Sequence, residues 1–331
     1  MNADLVLEGG GMRGIAHVGA LAVLAEHGYQ FQRVAGASAG AFVAAFTAAG
    51  VSAARMSDVM HHELDYAQFR EARGLARFGL GGRLATIVRD NGAFAGDRLR
   101  EWLRGALKRE TGIETFGDLR LDADPGAPPI PQDERYRLVV VVADLTLGRL
   151  VRLPWDYRLL YGLDPDRQLV ADAVRASTSI PFFFKPARLG WADGIQASHL
   201  VDGGLVSDFP ISIFDRNDGR PPRWPTFGVK LSARRSVNTV MHSIEGVRSF
   251  ATALFETAVS GNDQSHLADP CVASRTIFVD NRGIPSTNFA MTTDMRSALF
   301  DSGRDAAEQF LQRWDWPTYL RECRGVPAAT G

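Results

Sequence analysis

The sequence predicts an α/β fold on a mainly parallel sheet, and three observations carry the prediction. The first fifty residues read as strand, glycine loop, helix, strand, tight turn and helix, the order that starts a parallel sheet. Leu138-Val139-Val140-Val141-Val142-Ala143 is a continuous apolar run, the pattern of a strand buried on both faces. Two more short apolar runs, at 226–231 and 276–279, precede a helical stretch at 297–314 that closes the chain.

Each element has a local reason. Leu5-Val6-Leu7 is a buried strand that stops at Glu8 and a glycine cluster. Residues 15–26 contain one glycine and no proline, and Gly28 stands where a helix closes in the left-handed conformation. Residues 31–35 form a second strand ending at Gly36, and 39–49 a second helix stopped by Gly50. The 21 uncharged residues from 34 to 54 are long enough to span a bilayer. However, Gly36, Gly40 and Gly50, with the polar Ser38, Thr47 and Ser52, divide them into strand, turn and buried helix. Residues 125–132 are a Pro/Gly loop, and 172–177 a helix ended near Pro181. Leu200-Val201 is a short strand leading into Asp202-Gly203-Gly204.

Composition excludes several classes. The chain has 331 residues, 45% hydrophobic and 23% charged, enough to bury a full core without staples. Its 37 basic and 38 acidic residues give a net charge of −1, against a protein that coats nucleic acid. Cys271 and Cys323 are too few for a framework and read as two reduced thiols of a cytosolic protein. The N-terminus has an early acid and no basic region, unlike a signal peptide. Residues 69–109 stand apart, with ten basic and four acidic residues, a local charge of +6, interleaved with Phe69, Leu75, Phe78, Leu80 and Leu84. Such a segment reads either as a flap touching anionic lipid or as a solvated helical region with arginines lying over the core.

Chemistry is suggested by three motifs. Gly36-Ala37-Ser38-Ala39-Gly40 sits where a short strand meets a helix, the setting of a nucleophile elbow. A serine on so sharp a turn needs neighbours without side chains, and the helix N-terminus favours developing negative charge. Gly9-Gly10-Gly11-Met12-Arg13-Gly14 satisfies the dinucleotide spacing G-x-G-x-x-G. That reading wants an acid some 20 residues further on, yet no Asp or Glu lies between Glu26 and Asp58. The same glycines would expose backbone N–H groups as an anion site beside Ser38. Asp202-Gly203-Gly204, a turn by itself, supplies a carboxylate able to reach Ser38. His61-His62 with Glu63 lacks a complementary metal-binding cluster.

Together these motifs resemble the patatin-like phospholipases. Ala176-Ser177-Thr178-Ser179-Ile180-Pro181 before Phe182-Phe183-Phe184, and Asp208-Phe209-Pro210, match as well. The resemblance implies a single three-layer α/β/α domain over 4–311, followed by a C-terminal tail at 312–331. It implies a Ser38–Asp202 dyad, with Ser38 as nucleophile and Asp202 as general base. Gly10 and Gly11 would form the oxyanion hole, and Arg13 would orient that loop or bind headgroup charge. Gly9, Gly14, Gly36, Gly40, Gly203 and Gly204 are the motif glycines. The implied activity is hydrolysis of acyl esters of phospholipids or other lipids, without metal or cofactor. The expected partner is therefore a lipid and not nucleic acid. The expected location is cytoplasmic, with peripheral contact at the inner membrane surface through 69–109. A Ser–Asp–His triad is the rival arrangement, and His242 and His266 are the histidines that follow the acid. An acyltransferase with the same dyad and a non-catalytic lipid-binding protein are the alternative functions.

Overall fold

Leu5, Val6 and Leu7 are fully buried because parallel neighbours flank their strand on each side. The computed structural model describes residues 1–64, 91–121, 130–216, 218–231, 269–286 and 291–326, with isolated positions 68, 253, 257 and 288. The first elements are β1 (Asn2–Leu7), α1 (Ile15–Glu26), β2 (Gln30–Ala37), α2 (Ser38–Ala48) and α3 (Ala53–Asp58). A π turn, Val59–Glu63, follows α3. The middle of the chain forms β3 (Gly92–Phe94), α4 (Asp97–Thr111), β4 (Leu138–Asp144), β5 (Arg149–Leu153), α5 (Tyr157–Tyr161) and α6 (Val170–Ser177). Then come β6 (Phe182–Phe184), β7 (Ala187–Gly190), β8 (Ala197–Asp202) and β9 (Thr226–Lys230). The last elements are α7 (Pro270–Ser274), β10 (Thr276–Phe278), α8 (Thr293–Leu311) and α9 (Trp316–Arg324).

The sheet runs β10-β9-β1-β2-β4-β8-β7, with β5 also paired to β4. All pairs from β10 to β4 are parallel, whereas β5, β8 and β7 join antiparallel. The seven residues of β4 are all buried, as a strand at the centre of a covered sheet must be. Helix α1 is apolar all round because it lies between the sheet and α8. Two glycines permit that crossing. A Cβ on Gly19 would lie 2.0 Å from the Phe300 carbonyl oxygen, and one on Gly303 2.0 Å from that of Ala16.

Helix α8 begins earlier than the apolar spacing predicts, because the Thr292 side chain caps it by accepting the Met295 N–H. It also ends earlier, and Trp314 then stacks on Phe310 and meets Phe227 edge-on. Asp315 caps α9 by accepting the Thr318 N–H. This last helix folds back beside α7, where Cys323 is disulfide-bonded to Cys271 and Arg324 pairs with Asp215 at 2.8 Å. The reading of two reduced thiols is therefore corrected: a tertiary contact between residues 52 positions apart brings the sulfurs together.

No described helix is long and apolar enough to cross a membrane. The uncharged stretch at 34–54 is divided among β2, the turn at Ser38 and α2. Most of the basic 69–109 segment, residues 69–90, lies outside the described residues. In its described part, α4, the basic side chains meet acids: Arg100 with Asp172, Arg104 and Lys108 with Glu114, and Arg109 with Glu63 and Glu110.

Candidate active site

Ser38 has φ of +51°, in the left-handed region that a residue with a Cβ rarely enters. Such a conformation costs about 1–3 kcal/mol and persists only when its surroundings enforce it. Here they do. Strand β2 must turn into α2 within one residue, and Gly36 and Gly40 let the two pass. A Cβ on Gly36 would lie 2.4 Å from the Gly40 carbonyl carbon, and one on Gly40 2.2 Å from the Leu7 carbonyl oxygen. The Ser38 N–H donates to Ser177 Oγ at 2.9 Å, and Ser177 Oγ donates to the Val141 carbonyl at 2.6 Å. Ser177 thus ties the turn to the central strand.

Asp202 arrives at the same point from the opposite direction. Strand β5 covers one edge of β4, so β2 and β8 share the other. Ala37 is opposite Val141 and Asp202 is opposite Val142. The C-terminal ends of two strands therefore meet head to head against β4, and both leave the sheet there. Gly203 allows the departure, since a Cβ would lie 2.3 Å from the Val141 carbonyl oxygen. The Asp202 N–H donates to the Ser179 carbonyl at 3.0 Å, and Asp202 Oδ1 accepts the Gly204 N–H at 2.9 Å.

The Asp202 carboxyl is 1% exposed, and burial raises its pKa to about 7. The Ser38 hydroxyl and the Gly204 N–H pull the other way but do not cancel the desolvation. The hydroxyl is near enough to act on the carboxyl, yet Oδ2 has no aligned hydrogen-bond partner. We read the contact as a close but unaligned pair, as resting sites often are before substrate tightens them. No imidazole contacts Asp202 among the described residues, and His242 and His266 lie outside them.

The glycine loop lies between β1 and α1. Its anchors are Gly9 N–H to the Asp208 carbonyl, 3.2 Å, and Met12 N–H to the Ser286 carbonyl, 2.8 Å. The Gly10 carbonyl accepts from both the N–H and the Nε of Arg13, at 3.2 and 3.1 Å. Because a peptide is planar and trans, fixing that carbonyl turns the Gly11 N–H to the opposite side. Gly11 has φ of +57°, and a Cβ there would lie 2.1 Å from the Ser286 carbonyl oxygen. Gly10 is hemmed by Leu231, and Gly9 by the Asp208 carboxylate. Gly14 meets the Ala39 side chain only at ordinary contact distance.

Three buried groups hold this loop from behind, and sequence reasoning missed them. The Glu8 carboxylate pairs with Lys230 and accepts the Leu231 N–H. The Glu8 carbonyl meets His17 Nε2 at 2.8 Å. Burial lowers the His17 pKa to about 4, so the ring is neutral and Nε2 carries the proton. Arg175 is a second missed support. It donates to Ser179 Oγ and to the Ala95 and Lys185 carbonyls, and so locks the 177–185 segment beside Asp202. The sequence flagged this segment as a motif, with Phe182–Phe184 as apolar surroundings of the acid, but gave Arg175, Ser177 and Ser179 no role.

An apolar pocket opens beside Ser38, with a cavity volume of about 60 Å³ that widens into open solvent. Met12, Phe42, Met60, Leu64, Leu99 and Phe184 give it its walls, and Gly11 and Gly14 its rim. Among the described residues no three or more His, Cys, Asp or Glu side chains gather as a metal site. Chemically, the arrangement joins a hydroxyl on a forced turn, a buried carboxyl that ionises near neutrality, and an apolar space for one end of a ligand.

Known proteins resemble this chain in sequence and fold. The family model for patatin-like phospholipases matches residues 5–215. The uncharacterized protein YqhO of Bacillus subtilis is 34% identical over 316 residues, 96% of this chain and all of that protein. The uncharacterized protein R571 of Acanthamoeba polyphaga mimivirus is 21% identical over 92% of each chain. Among solved structures, VipD from Legionella pneumophila superposes with a TM-score of 0.57 at 19% identity. It covers 94% of this chain, which spans 66% of VipD. The shared fold is a central sheet flanked by helices.

Proposed function

Because the chain belongs to the patatin-like phospholipase family, we propose that it hydrolyses carboxylic ester bonds of lipids through Ser38 and Asp202. The observation that carries this reading is the meeting of the two strand ends against β4. It brings a serine in a left-handed turn beside a buried carboxyl whose pKa is about 7, at the mouth of an apolar pocket.

An ionised Asp202 takes the proton of the Ser38 hydroxyl as Oγ attacks the ester carbonyl. A carboxylate of ordinary pKa is a weak base for this step, and burial is what improves it. The developing oxyanion lies toward the Gly10 and Gly11 N–H groups, the second of them oriented by the Gly10 carbonyl that Arg13 anchors. The tetrahedral intermediate then collapses. The alcohol leaves with the proton held by Asp202, and the acyl group remains on Ser38. Water attacks the acyl-enzyme, gives its proton to Asp202, and the acid is released as Ser38 recovers its proton. Arg13 orients the loop through the Gly10 carbonyl.

The experiment is a lipid-ester screen read by released fatty acid, comparing wild type with Ser38→Ala. The proposal expects release by wild type and loss of about 10⁴-fold or more in the variant. Equal release by both folded proteins would reject it.

A further inference from the structure

Two apolar side chains help to wall the pocket beside Ser38. Phe42 on α2 and Met60 on the π turn stand there side by side. The same two side chains also face a second apolar space, bounded further by Val43, Phe46, Met56 and Val59. That space is too tight to admit a water molecule. Phe42 and Met60 thus form a partition between the Ser38 pocket and a tight apolar seam.

The two halves of the partition differ in stiffness. Phe42 is held by stacking on Trp102, with centroids 5.9 Å apart, and by Phe46 at 5.3 Å. Met60 has a pinned backbone, since Arg296 donates to its carbonyl at 3.2 Å and to that of His61 at 2.9 Å. Its side chain, however, is unbranched and has three rotatable bonds. A π turn places it, and such turns are frequent where a helix is adapted to a site.

We propose that Met60 is the end-stop of the acyl pocket and sets the acyl-chain length that the enzyme accepts. The inference rests on the reading of the Ser38 pocket as the acyl site. A chain bound as an ester at Ser38 runs past Phe42 and ends against Met60. The substrate class is therefore acyl esters of short to medium chain. The seam behind Met60 admits further methylenes only when that side chain is cut back.

The test measures kcat/KM on a homologous series of uncharged chromogenic acyl esters, from short to long chains. Each rate is divided by that for the shortest ester, so the folded fraction cancels. Wild type should prefer short to medium chains, and Met60→Ala should move the optimum to longer ones. Each methylene that enters the opened seam should raise the ratio by about fourfold. Met60→Phe should lower the ratio for the longer esters. Met56→Ala removes a similar side chain that lines the seam but not the Ser38 pocket, and should keep the wild-type optimum. An optimum unchanged by Met60→Ala, or moved equally by Met56→Ala, would overturn the inference while leaving the proposed hydrolysis intact. Absence of any Ser38-dependent hydrolysis would instead reject the functional reading itself.

Discussion

The turn at Ser38 and the turn at Asp202 meet at the same place on β4, but each is held in a high-energy state of a different kind. At Ser38 the backbone carries it, as a left-handed φ of +51° in a residue with a side chain. At Asp202 the backbone is ordinary, with φ of −49°, and the electrostatics carry it, as a carboxyl buried without an aligned partner for Oδ2. The difference teaches how a two-residue site is made. The nucleophile needs to be presented, which is a matter of geometry. The base needs to be made more basic, which is a matter of solvent.

The largest effect should come from removing either function. Ser38→Ala and Asp202→Asn should each lower kcat by about 10⁴-fold or more, measured on any ester the wild type turns over. Stability should separate the two turns. Asp202→Asn removes a group whose folded pKa, about 7, lies above its unfolded value of 3.8. The native state therefore loses stability as pH rises between those values, and the loss is complete above about 7. Denaturant unfolding should show the Asn variant to be more stable at pH 8 by a few kcal/mol, roughly, with the gain gone below pH ~4. Ser38→Gly should relieve the backbone by about 1 kcal/mol at low pH and gain less above pH ~7, where ionised Asp202 loses the hydroxyl. An equal pH dependence in both variants would break the comparison.

The smaller effect concerns what aligns the two turns. Ser177 bonds the Ser38 N–H and the Val141 carbonyl. Ser177→Ala should lower kcat by about 10–100-fold with KM unchanged, because the turn loosens while the pocket stays. A fall in stability with kcat preserved would assign Ser177 a merely structural role.

How legible these features were in the sequence follows the same division. Helix α1 is readable to its ends, since one helical run is closed by Gly28, which indeed has φ of +82°. The Ser38 turn is readable because its steric demands fall on Gly36 and Gly40, two residues away on either side. The parallel half of the sheet is readable from apolar runs such as β4. The antiparallel half is not. Strand β5, Arg-Leu-Val-Arg-Leu, alternates with charge at a half-covered edge, and β7 is short and partly exposed. The Asp202 turn is visible as a motif, but its register beside Ala37 depends on β8 taking over the edge of β4 that β2 leaves. Ser177 acts on residues 36 and 139 positions away, and the Cys271–Cys323 pair joins segments with no local signal of contact. Contacts of that kind exist only in the folded chain.

The central claim is that buried Asp202 is the base that activates Ser38. The most direct measurement is the rate at which an uncharged serine-directed phosphonate labels Ser38 as a function of pH. The rate should rise about tenfold per pH unit and level off above about 7, the pKa of Asp202. That limb should persist in His242→Ala and His266→Ala and should be absent from Asp202→Asn, which labels slowly at every pH. A limb that survives in Asp202→Asn, or disappears with either histidine, would contradict the account.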